Sequence, residues 1–343
     1  MSPSPSPAAA PLAVALGDPA GIGPEIIVES YLRTRGESAP FFVVGGPQVL
    51  RAAAEARGLD CPIVPIAEPE EAIAAFAAGL PVLAGLDVSY RPGEPDAQGA
   101  RLALESLGAA TRLTVAGRAG ALVTAPVAKS ELAALGFDFP GQTEFLAEAT
   151  GKSAGEAVMM LAGPSLRTVP LTVHVALADV PGLLDTDMIV AKARIVTAAL
   201  SSDFGIAAPR LAIAGLNPHS GEGGRFGSEE ADAIEPAIAR LRSEGFDVSG
   251  PVPGDALFTP RRRATYDAAL CMYHDQALIP LKALEVDEGV NVTLGLPIVR
   301  TSPDHGTAFD IAGKGIADPG AMMAALRIAA ECARMRSAAR ADA

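Results

Sequence analysis

Short apolar runs alternate with alanine-rich amphipathic stretches along most of this chain. Each apolar run is bounded by glycine, proline or polar residues, which is typical of a buried strand that ends at a loop. The clearest runs are 11–18, 41–46, 120–126, 168–175, 210–218 and 268–275. Helical patterns lie between them, for example at 187–202 and 228–244. This alternation predicts an α/β fold with a mostly parallel sheet covered on both faces.

Charge and cysteine content exclude other classes of protein. Among 343 residues, Lys and Arg number 27 and Asp and Glu number 40, giving a net charge of −13. We therefore expect no nucleic-acid partner, because non-specific binding depends on neutralising phosphates. Cys61, Cys271 and Cys332 are far apart and form no CxxC pair, which indicates a reducing compartment without a disulfide framework.

The sequence shows no secretory signal and no membrane-spanning segment. The first eleven residues lack the basic and continuous apolar regions of a secretory signal, and no run of apolar residues is long enough to span a bilayer. A cytoplasmic protein with no membrane partner is expected, with residues 1–11 forming a flexible tail.

Two nucleotide-binding motifs are incomplete. The loop at 21–26 begins with the first two glycines of a dinucleotide-binding motif, but Ile26 replaces the third. The tripeptide at 151–153 resembles the end of a P-loop, but Leu146 occupies the position of its first glycine. These departures argue against a phosphate cradle of either kind.

Three of the four histidines follow apolar, strand-like runs: His174, His219 and His274. Ligands bind outside the carboxyl ends of strands in open α/β sheets, so these three side chains could converge. Three neutral imidazoles that leave a coordination position open are a catalytic ligand set for a divalent metal, and zinc is well suited. The alternative is that each is an ordinary polar residue, and the pattern alone leaves both interpretations open.

Other polar residues are candidates for holding an anion. Lys282, Asn291 and Arg300 lie in mostly apolar sequence, where a buried cation needs either a bound phosphate or carboxylate or an internal salt bridge. Thr143 and Glu144 begin a predicted helix, whose first N–H groups could bind an anion or could simply be capped by Thr143.

Two neighbours of the histidines have equally open roles. Asp275 either orients the imidazole of His274 or caps the following helix, and the cap is the favoured interpretation. The glycine-rich stretch 217–224 either presents backbone N–H groups to an anion or forms a flexible surface loop.

Six strings together resemble the 4-hydroxythreonine-4-phosphate dehydrogenase family of vitamin B6 biosynthesis. They are LGDPAGIGPE (16–25), TAPVAK (124–129), PGQTEFLA (140–147), LNPHSGEGG (216–224), MYHDQALIPLK (272–282) and GVNVTLGLPIVRTSPDHGTAFDIAGKG (289–315). The resemblance implies an isopropylmalate-dehydrogenase-like fold, with two α/β/α domains and an active-site cleft between them. We expect residues 12–135 and 296–343 to form the first domain and 136–295 the second.

The resemblance also implies an activity. The family oxidises 4-phosphooxy-L-threonine with NAD or NADP, and the product loses CO2 to give 3-amino-2-oxopropyl phosphate for pyridoxine 5′-phosphate synthesis. It implies a divalent metal (Zn, Mg or Co) and a homodimer with shared active sites. Related groups act on sugar-acid phosphates or on cis-dihydrodiols of aromatic dicarboxylates, and these remain the alternative substrates.

Site residues carry over from the resemblance position by position. His174, His219 and His274 match the metal ligands. The substrate-binding positions are Gln142, Thr143, Lys282, Asn291 and Arg300, and Lys282 is also the expected catalytic residue. Gln142 replaces the histidine that is usual in the family's PGHTE string, so a neutral amide stands where an imidazole could be protonated. The cofactor-contacting residues stay unassigned, although 303–308 is a plausible part of that site.

Overall fold

The computed structural model describes residues 10–341. Twelve strands lie within these residues: β1 (Leu12–Ala15), β2 (Phe41–Val44), β3 (Ile63–Ile66), β4 (Leu80–Leu83), β5 (Leu122–Thr124), β6 (Val158–Ala162), β7 (Arg167–Pro170), β8 (Arg210–Ala214), β9 (Asp247–Val252), β10 (Ala268–Cys271), β11 (Val290–Leu294) and β12 (Arg300–Pro303). Each of the six apolar runs in the sequence overlaps one of them.

Thirteen α-helices lie within the same range: α1 (Gly23–Thr34), α2 (Pro47–Ala56), α3 (Ala72–Ala75), α4 (Ala97–Val115), α5 (Lys129–Ala133), α6 (Gln142–Ala149), α7 (Val180–Leu183), α8 (Thr186–Ser202), α9 (Glu235–Ser243), α10 (Gly254–Leu257), α11 (Pro260–Arg263), α12 (His274–Glu285) and α13 (Gly320–Ala341). A π-helical turn, Glu230–Ile234, runs directly into α9, so the predicted helix at 228–244 is a composite.

The first compact unit comprises the residues up to Ala154 together with those from Leu296 onward. Its strands pair in the order β3-β4-β2-β1-β5-β12, and the pairings are parallel. Both α4 and α13 pack against β1 and β5. After β1 the chain continues to β2 on one side, and β12 lies beside β5 on the other side. The loops after β1 and β5 therefore lead in opposite directions at the carboxyl edge. Open α/β sheets bind ligands at such a point.

The second unit comprises Gly155–Gly295. Its strands pair in the order β11-β6-β7-β10-β8-β9, with β7, β10, β8 and β9 parallel. In contrast, β6 is antiparallel to both β7 and β11. The α/β class is confirmed, and this unit adds an antiparallel portion that the apolar runs did not predict.

The start of the second unit differs from the expected residue 136. Phe137, Phe139 and Phe145 form an aromatic cluster with ring centroids 5.1–5.6 Å apart, and the cluster packs with Leu132 of α5 and with α4. These contacts keep the segment up to Ala154 with the first unit because separating it would expose the rings to water.

The predicted tail at 1–11 lies mostly outside the described residues. Of the part that is described, Pro11 is buried and its carbonyl accepts a hydrogen bond from Gly120 N at 3.0 Å, so this residue is not part of a flexible tail. Between residues 10 and 341, no helix combines the length and apolar character needed to cross a membrane.

The aromatic cluster yields a stability prediction. Phe137 is 9% exposed, and replacing it with alanine should remove about 3 kcal/mol from the free energy of unfolding, because the ring's contacts are lost and a cavity remains. Phe226 is 49% exposed, so Phe226→Ala is the control and should change the urea midpoint little. Equal urea midpoints for Phe137→Ala and the wild type would contradict this assignment.

Candidate active site

Three adjacent parallel strands of the second unit lead into the loops that carry histidines. β7 precedes His174, β8 precedes His219, and β10 precedes His274, which is the first residue of α12. Since β10 lies between β7 and β8 in the sheet, the carboxyl ends of all three strands meet at one edge. The expected placement of the three histidines at strand ends is therefore observed.

The imidazoles are arranged as a close pair and a third ring. The centroids of His174 and His274 are 5.8 Å apart, with the ring planes tilted by 41°. The ring of His219 lies instead against Phe226, at a centroid distance of 6.2 Å. Across residues 10–341 the side chains form no group of three His, Cys, Asp or Glu at metal-binding distances. The three-histidine metal site therefore stays a prediction.

The backbone at two of these histidines has a rare conformation. His174 and His219 both have φ of 53°, in the left-handed region that residues with a Cβ seldom adopt. Such backbone persists only where surrounding contacts hold it, and it is most frequent at functional sites. The unusual φ therefore supports a specific role for these two positions over ordinary loop residues.

The loop around His219 is held by Glu230, a buried residue of the π-helical turn. Its Oε1 accepts from the backbone N–H groups of Leu216 and Asn217, each at 2.8 Å, and its Oε2 accepts from Asn217 Nδ2 at 2.9 Å. The interpretation of 217–224 as a flexible loop is therefore wrong for its first residues. Within the loop, the N–H groups of Ser220 and Gly224 donate to neighbouring carbonyls, which reduces what the stretch can offer an anion.

Asp275 orients His274 and does not cap α12. Its Oδ1 lies 2.7 Å from His274 Nδ1, whereas the N-cap position belongs to Tyr273. The favoured sequence interpretation, a helix cap, was wrong because α12 begins at His274, two residues earlier than a cap at Asp275 would require. A carboxylate on Nδ1 fixes the tautomer and leaves Nε2 to face a ligand.

The two remaining candidates of this unit differ in exposure. Lys282 is exposed on α12, so the argument that a buried cation needs a partner does not apply to it. Asn291 lies on β11, and its buried Oδ1 accepts no hydrogen bond from any described residue. A buried acceptor without a donor is costly, so a ligand that donates a hydrogen bond would stabilise Asn291.

In the first unit, Arg300 provides a buried positive charge. This first residue of β12 is 4% exposed, and burial lowers the pKa of its guanidinium to about 10, an effect that the nearby Glu144 carboxylate opposes. Its Nη2 donates to Thr124 Oγ1 at 2.8 Å and to Gln142 Oε1 at 3.0 Å. Because this pKa is well above 7, the start of α6 lies beside a fixed positive charge at neutral pH.

Gln142 is the first residue of α6, and Gly141 occupies the N-cap position. Its Oε1 is engaged by Arg300, so its amide N–H2 is the group that it can offer to a ligand. Thr143 lies in the first turn, and no side chain caps the helix in this fully described segment. The alternative of capping by Thr143 is therefore wrong, because the helix starts before it.

The loop after β1 meets the segment that was expected to contact the cofactor. Ile22 N donates to Thr307 O at 2.9 Å, and Gly313 N donates to the buried Glu25 at 2.5 Å. A Cβ on Gly21 would lie 2.8 Å from Thr307 O, so this close approach requires glycine. Beside them, burial raises the pKa of Asp18. The two loops thus form one surface at the carboxyl edge of the first sheet.

A profile of the family described as "Pyridoxal phosphate biosynthetic protein PdxA" matches residues 37–329. The chain belongs to this family. It is 63% identical over 328 residues to the 4-hydroxythreonine-4-phosphate dehydrogenase of Erythrobacter litoralis, covering 95% of this chain and 98% of that protein. The crystal structure of the Klebsiella pneumoniae 4-hydroxythreonine-4-phosphate dehydrogenase superposes with a TM-score of 0.86 at 38% identity, covering 96% of this chain and 99% of that one. The resemblance drawn from the sequence strings is confirmed.

The dihydrodiol alternative is less well supported within this family. The terephthalate 1,2-cis-dihydrodiol dehydrogenase of Burkholderia xenovorans matches with a TM-score of 0.63 at 31% identity, covering 94% of this chain and 98% of that one. Both values are lower than those for the Klebsiella protein, so this alternative is not favoured.

Two residues that hold the candidate site residues in place were not predicted from the sequence. Glu230 and Thr124 hold the His219 loop and Arg300 respectively, and neither belongs to a recognisable catalytic pattern. Thr124 stood inside one of the six quoted strings, which was the only available signal. Glu230 is an acid among many in a chain with 40 acidic residues, and only its burial distinguishes it.

The hold of Glu230 on the His219 loop can be tested without any ligand. Glu230→Ala leaves two half-buried N–H groups without their acceptor, so it should cost about 3 kcal/mol of stability and speed amide exchange at Leu216 and Asn217. Glu222→Ala, at an exposed position of the same loop, is the matched control. Amide exchange at 216 and 217 that is as slow in Glu230→Ala as in this control would refute the role.

Proposed function

We propose that this chain is a metal-dependent, NAD(P)-dependent dehydrogenase that oxidises 4-phosphooxy-L-threonine. The oxidised product then loses CO2 to give 3-amino-2-oxopropyl phosphate, a step of pyridoxine 5′-phosphate synthesis. The observation that carries this proposal is the 63% identity, over 95% of the chain, to a relative named for that activity. The role proposed for each site residue is supported by the contacts of that residue.

Arg300, Gln142 and Thr143 bind an anionic group of the substrate. Arg300 supplies a guanidinium whose charge is already desolvated, so an incoming phosphate or carboxylate meets it in a low-dielectric environment. Gln142 supplies a neutral N–H2 donor, held in place by Arg300. The first N–H groups of α6, where Thr143 lies, are oriented to support the same anion.

His174, His219 and His274 hold the divalent metal, which is Zn, Mg or Co. The donor chemistry fits, since two of the rings are already neighbours and Asp275 leaves Nε2 of His274 available. When bound, such an ion supplies Lewis-acid stabilisation of the substrate oxygen that loses its proton. The strained φ at His174 and His219 indicates that surrounding contacts hold these two loops in one conformation.

Lys282 is the catalytic side chain and Asn291 binds substrate. The exposed ammonium of Lys282 either neutralises the negative charge that develops on CO2 loss or transfers a proton to the product. Asn291 offers a buried acceptor that a substrate amine or hydroxyl would satisfy.

The cofactor is NAD or NADP, and it binds the first unit near the segment 303–308. Support comes from the contact between this segment and the loop after β1, which lies at the carboxyl edge of a parallel sheet. We assign no individual residue to the cofactor.

The active form is a homodimer in which two chains share their active sites. Ile279 and Val286 of the α12 region are 64% and 65% exposed, and they flank Lys282 in the sequence. Large apolar side chains at this exposure favour coverage by a second copy. We place the enzyme in the cytoplasm because Cys61, Cys271 and Cys332 are buried free thiols, as a reducing compartment allows.

A substrate panel tests the proposed function. Purified wild-type protein should reduce NAD or NADP with 4-phosphooxy-L-threonine, and not with erythronate or threonate phosphates or with a terephthalate cis-dihydrodiol. Exhaustive chelation should abolish turnover, and added Zn²⁺, Mg²⁺ or Co²⁺ should restore it. Turnover of the dihydrodiol alone would refute the substrate, whereas full turnover after chelation would refute the metal.

Gln142 provides a second test, aimed at the anion site. Gln142→Leu removes one hydrogen bond to the substrate, worth about 1.4 kcal/mol, so KM for 4-phosphooxy-L-threonine should rise roughly tenfold. The control is the exposed Gln98→Leu on α4, which should leave KM unchanged.

Gln142→His should remain active, and the contact with Arg300 limits its pH dependence. A protonated imidazole would face the guanidinium, so the cation lowers the pKa of the new histidine and favours its neutral form. Substrate binding by Gln142→His should therefore change little between pH 6 and pH 8. An unchanged KM in Gln142→Leu would place position 142 outside the site.

A further inference from the structure

The parallel ladder of the second unit ends just before the histidine loops begin. The pairing of β10 with β7 ends at Cys271 and Pro170, and its pairing with β8 ends at Leu270 and Ile213. The bonds from Leu171 N to Cys271 O and from Gly215 N to Val252 O lie at this limit, and the Met272 backbone and the Gly215 carbonyl lie beyond the paired residues. They need another source of hydrogen bonds if the loops are to keep one conformation.

Gln276, in the first turn of α12, supplies two of these bonds. Its Oε1 accepts from Met272 N at 2.7 Å, and its Nε2 donates to Gly215 O at 2.8 Å. Since one partner can only donate and the other can only accept, the orientation of the amide is fixed. The same side chain therefore ties the loop of His274 to the loop of His219.

Thr172 supplies the third bond. Thr172 is 6% exposed, and its Oγ1 donates to Met272 O at 2.8 Å. This bond ties the loop of His174 to the loop of His274, next to the backbone bond from Leu171 N to Cys271 O at 2.8 Å. Both backbone polar groups of Met272 therefore have a partner. Its N–H donates to Gln276, and its carbonyl accepts from Thr172.

We propose that Gln276 and Thr172 are positioning residues that set the spacing of the three histidine loops before any metal binds. We call these two side chains the brace. They do not touch the metal or the reacting atoms; they act through the backbone of Met272 and Gly215. The inference rests on the proposed function in taking the histidines as metal ligands, and the brace itself is a property of the loops.

Four variants separate positioning from general stability. Gln276→Glu keeps the acceptor for Met272 N but places an oxygen against Gly215 O, and Thr172→Val keeps the shape while removing the hydroxyl. The matched control is Thr301→Val in the other unit, where a fully buried hydroxyl donates to Ala325 O at 2.9 Å. Thr172→Ser restores a hydroxyl and serves as the rescue variant.

The measurement is Co²⁺ binding to the metal-free full-length protein by calorimetry, without NAD or substrate. Each brace variant should bind Co²⁺ about tenfold or more weakly than the wild type, since loss of groups that orient ligands commonly has that effect. Thr301→Val should lose comparable thermal stability and keep the wild-type Kd, and Thr172→Ser should recover most of the affinity. Wild-type Co²⁺ affinity in both brace variants would overturn the proposal.

Amide hydrogen exchange of the metal-free proteins distinguishes failure of the brace from failure of the proposed metal site. Gln276→Glu should speed exchange at both 272–274 and 215–220, because one side chain ties both segments. Unchanged exchange in these segments would refute the brace. A wild-type protein that binds no Co²⁺ would instead refute the metal in the proposed function, with the brace then judged on exchange alone.

Discussion

The parallel pairing of β10 between β7 and β8 is the constraint on which the second unit depends. Parallel strands begin at one edge of a sheet and end at the other, so three loops from distant parts of the sequence reach the same edge. The sheet alone explains why His174, His219 and His274 share a region. It does not explain their spacing, because the hydrogen-bond ladder stops before any of the three residues is reached.

Side chains take over where the ladder stops. Glu230 satisfies the backbone of Leu216 and Asn217, while the brace satisfies Met272 and Gly215. These contacts act on groups that would otherwise be left to water or be unpaired, and leaving them unmade costs more than making them gains. They also offset the strain of φ at 53° in His174 and His219, which costs of order 1–3 kcal/mol for each residue.

The sequence predicted the elements better than their partners. Apolar runs located the strands before the histidine loops because burial on both faces leaves a continuous hydrophobic signal. The antiparallel β6 and β11 were not predicted, although β6 itself is a short apolar run, because an apolar run does not show the direction in which a strand pairs. The contact between Gln142 and Arg300 joins residues 158 positions apart, and no local pattern encodes such a pairing. Asp275 was assigned to the wrong role because a shift of two residues in a helix start changes a cap into a first-turn residue.

The two units differ in which groups of the candidate site are buried. In the second unit, the histidines lie on exposed or half-buried loops, and buried polar side chains beneath them fix the backbone. In the first unit, the charge of Arg300 is itself buried, and burial lowers the pKa of its guanidinium. Thr124 and Gln142 replace part of that lost hydration with neutral acceptors. An anion that binds at Arg300, as proposed, would therefore gain more than at an exposed arginine, because the cost of desolvating the cation was already met by the folding of the protein.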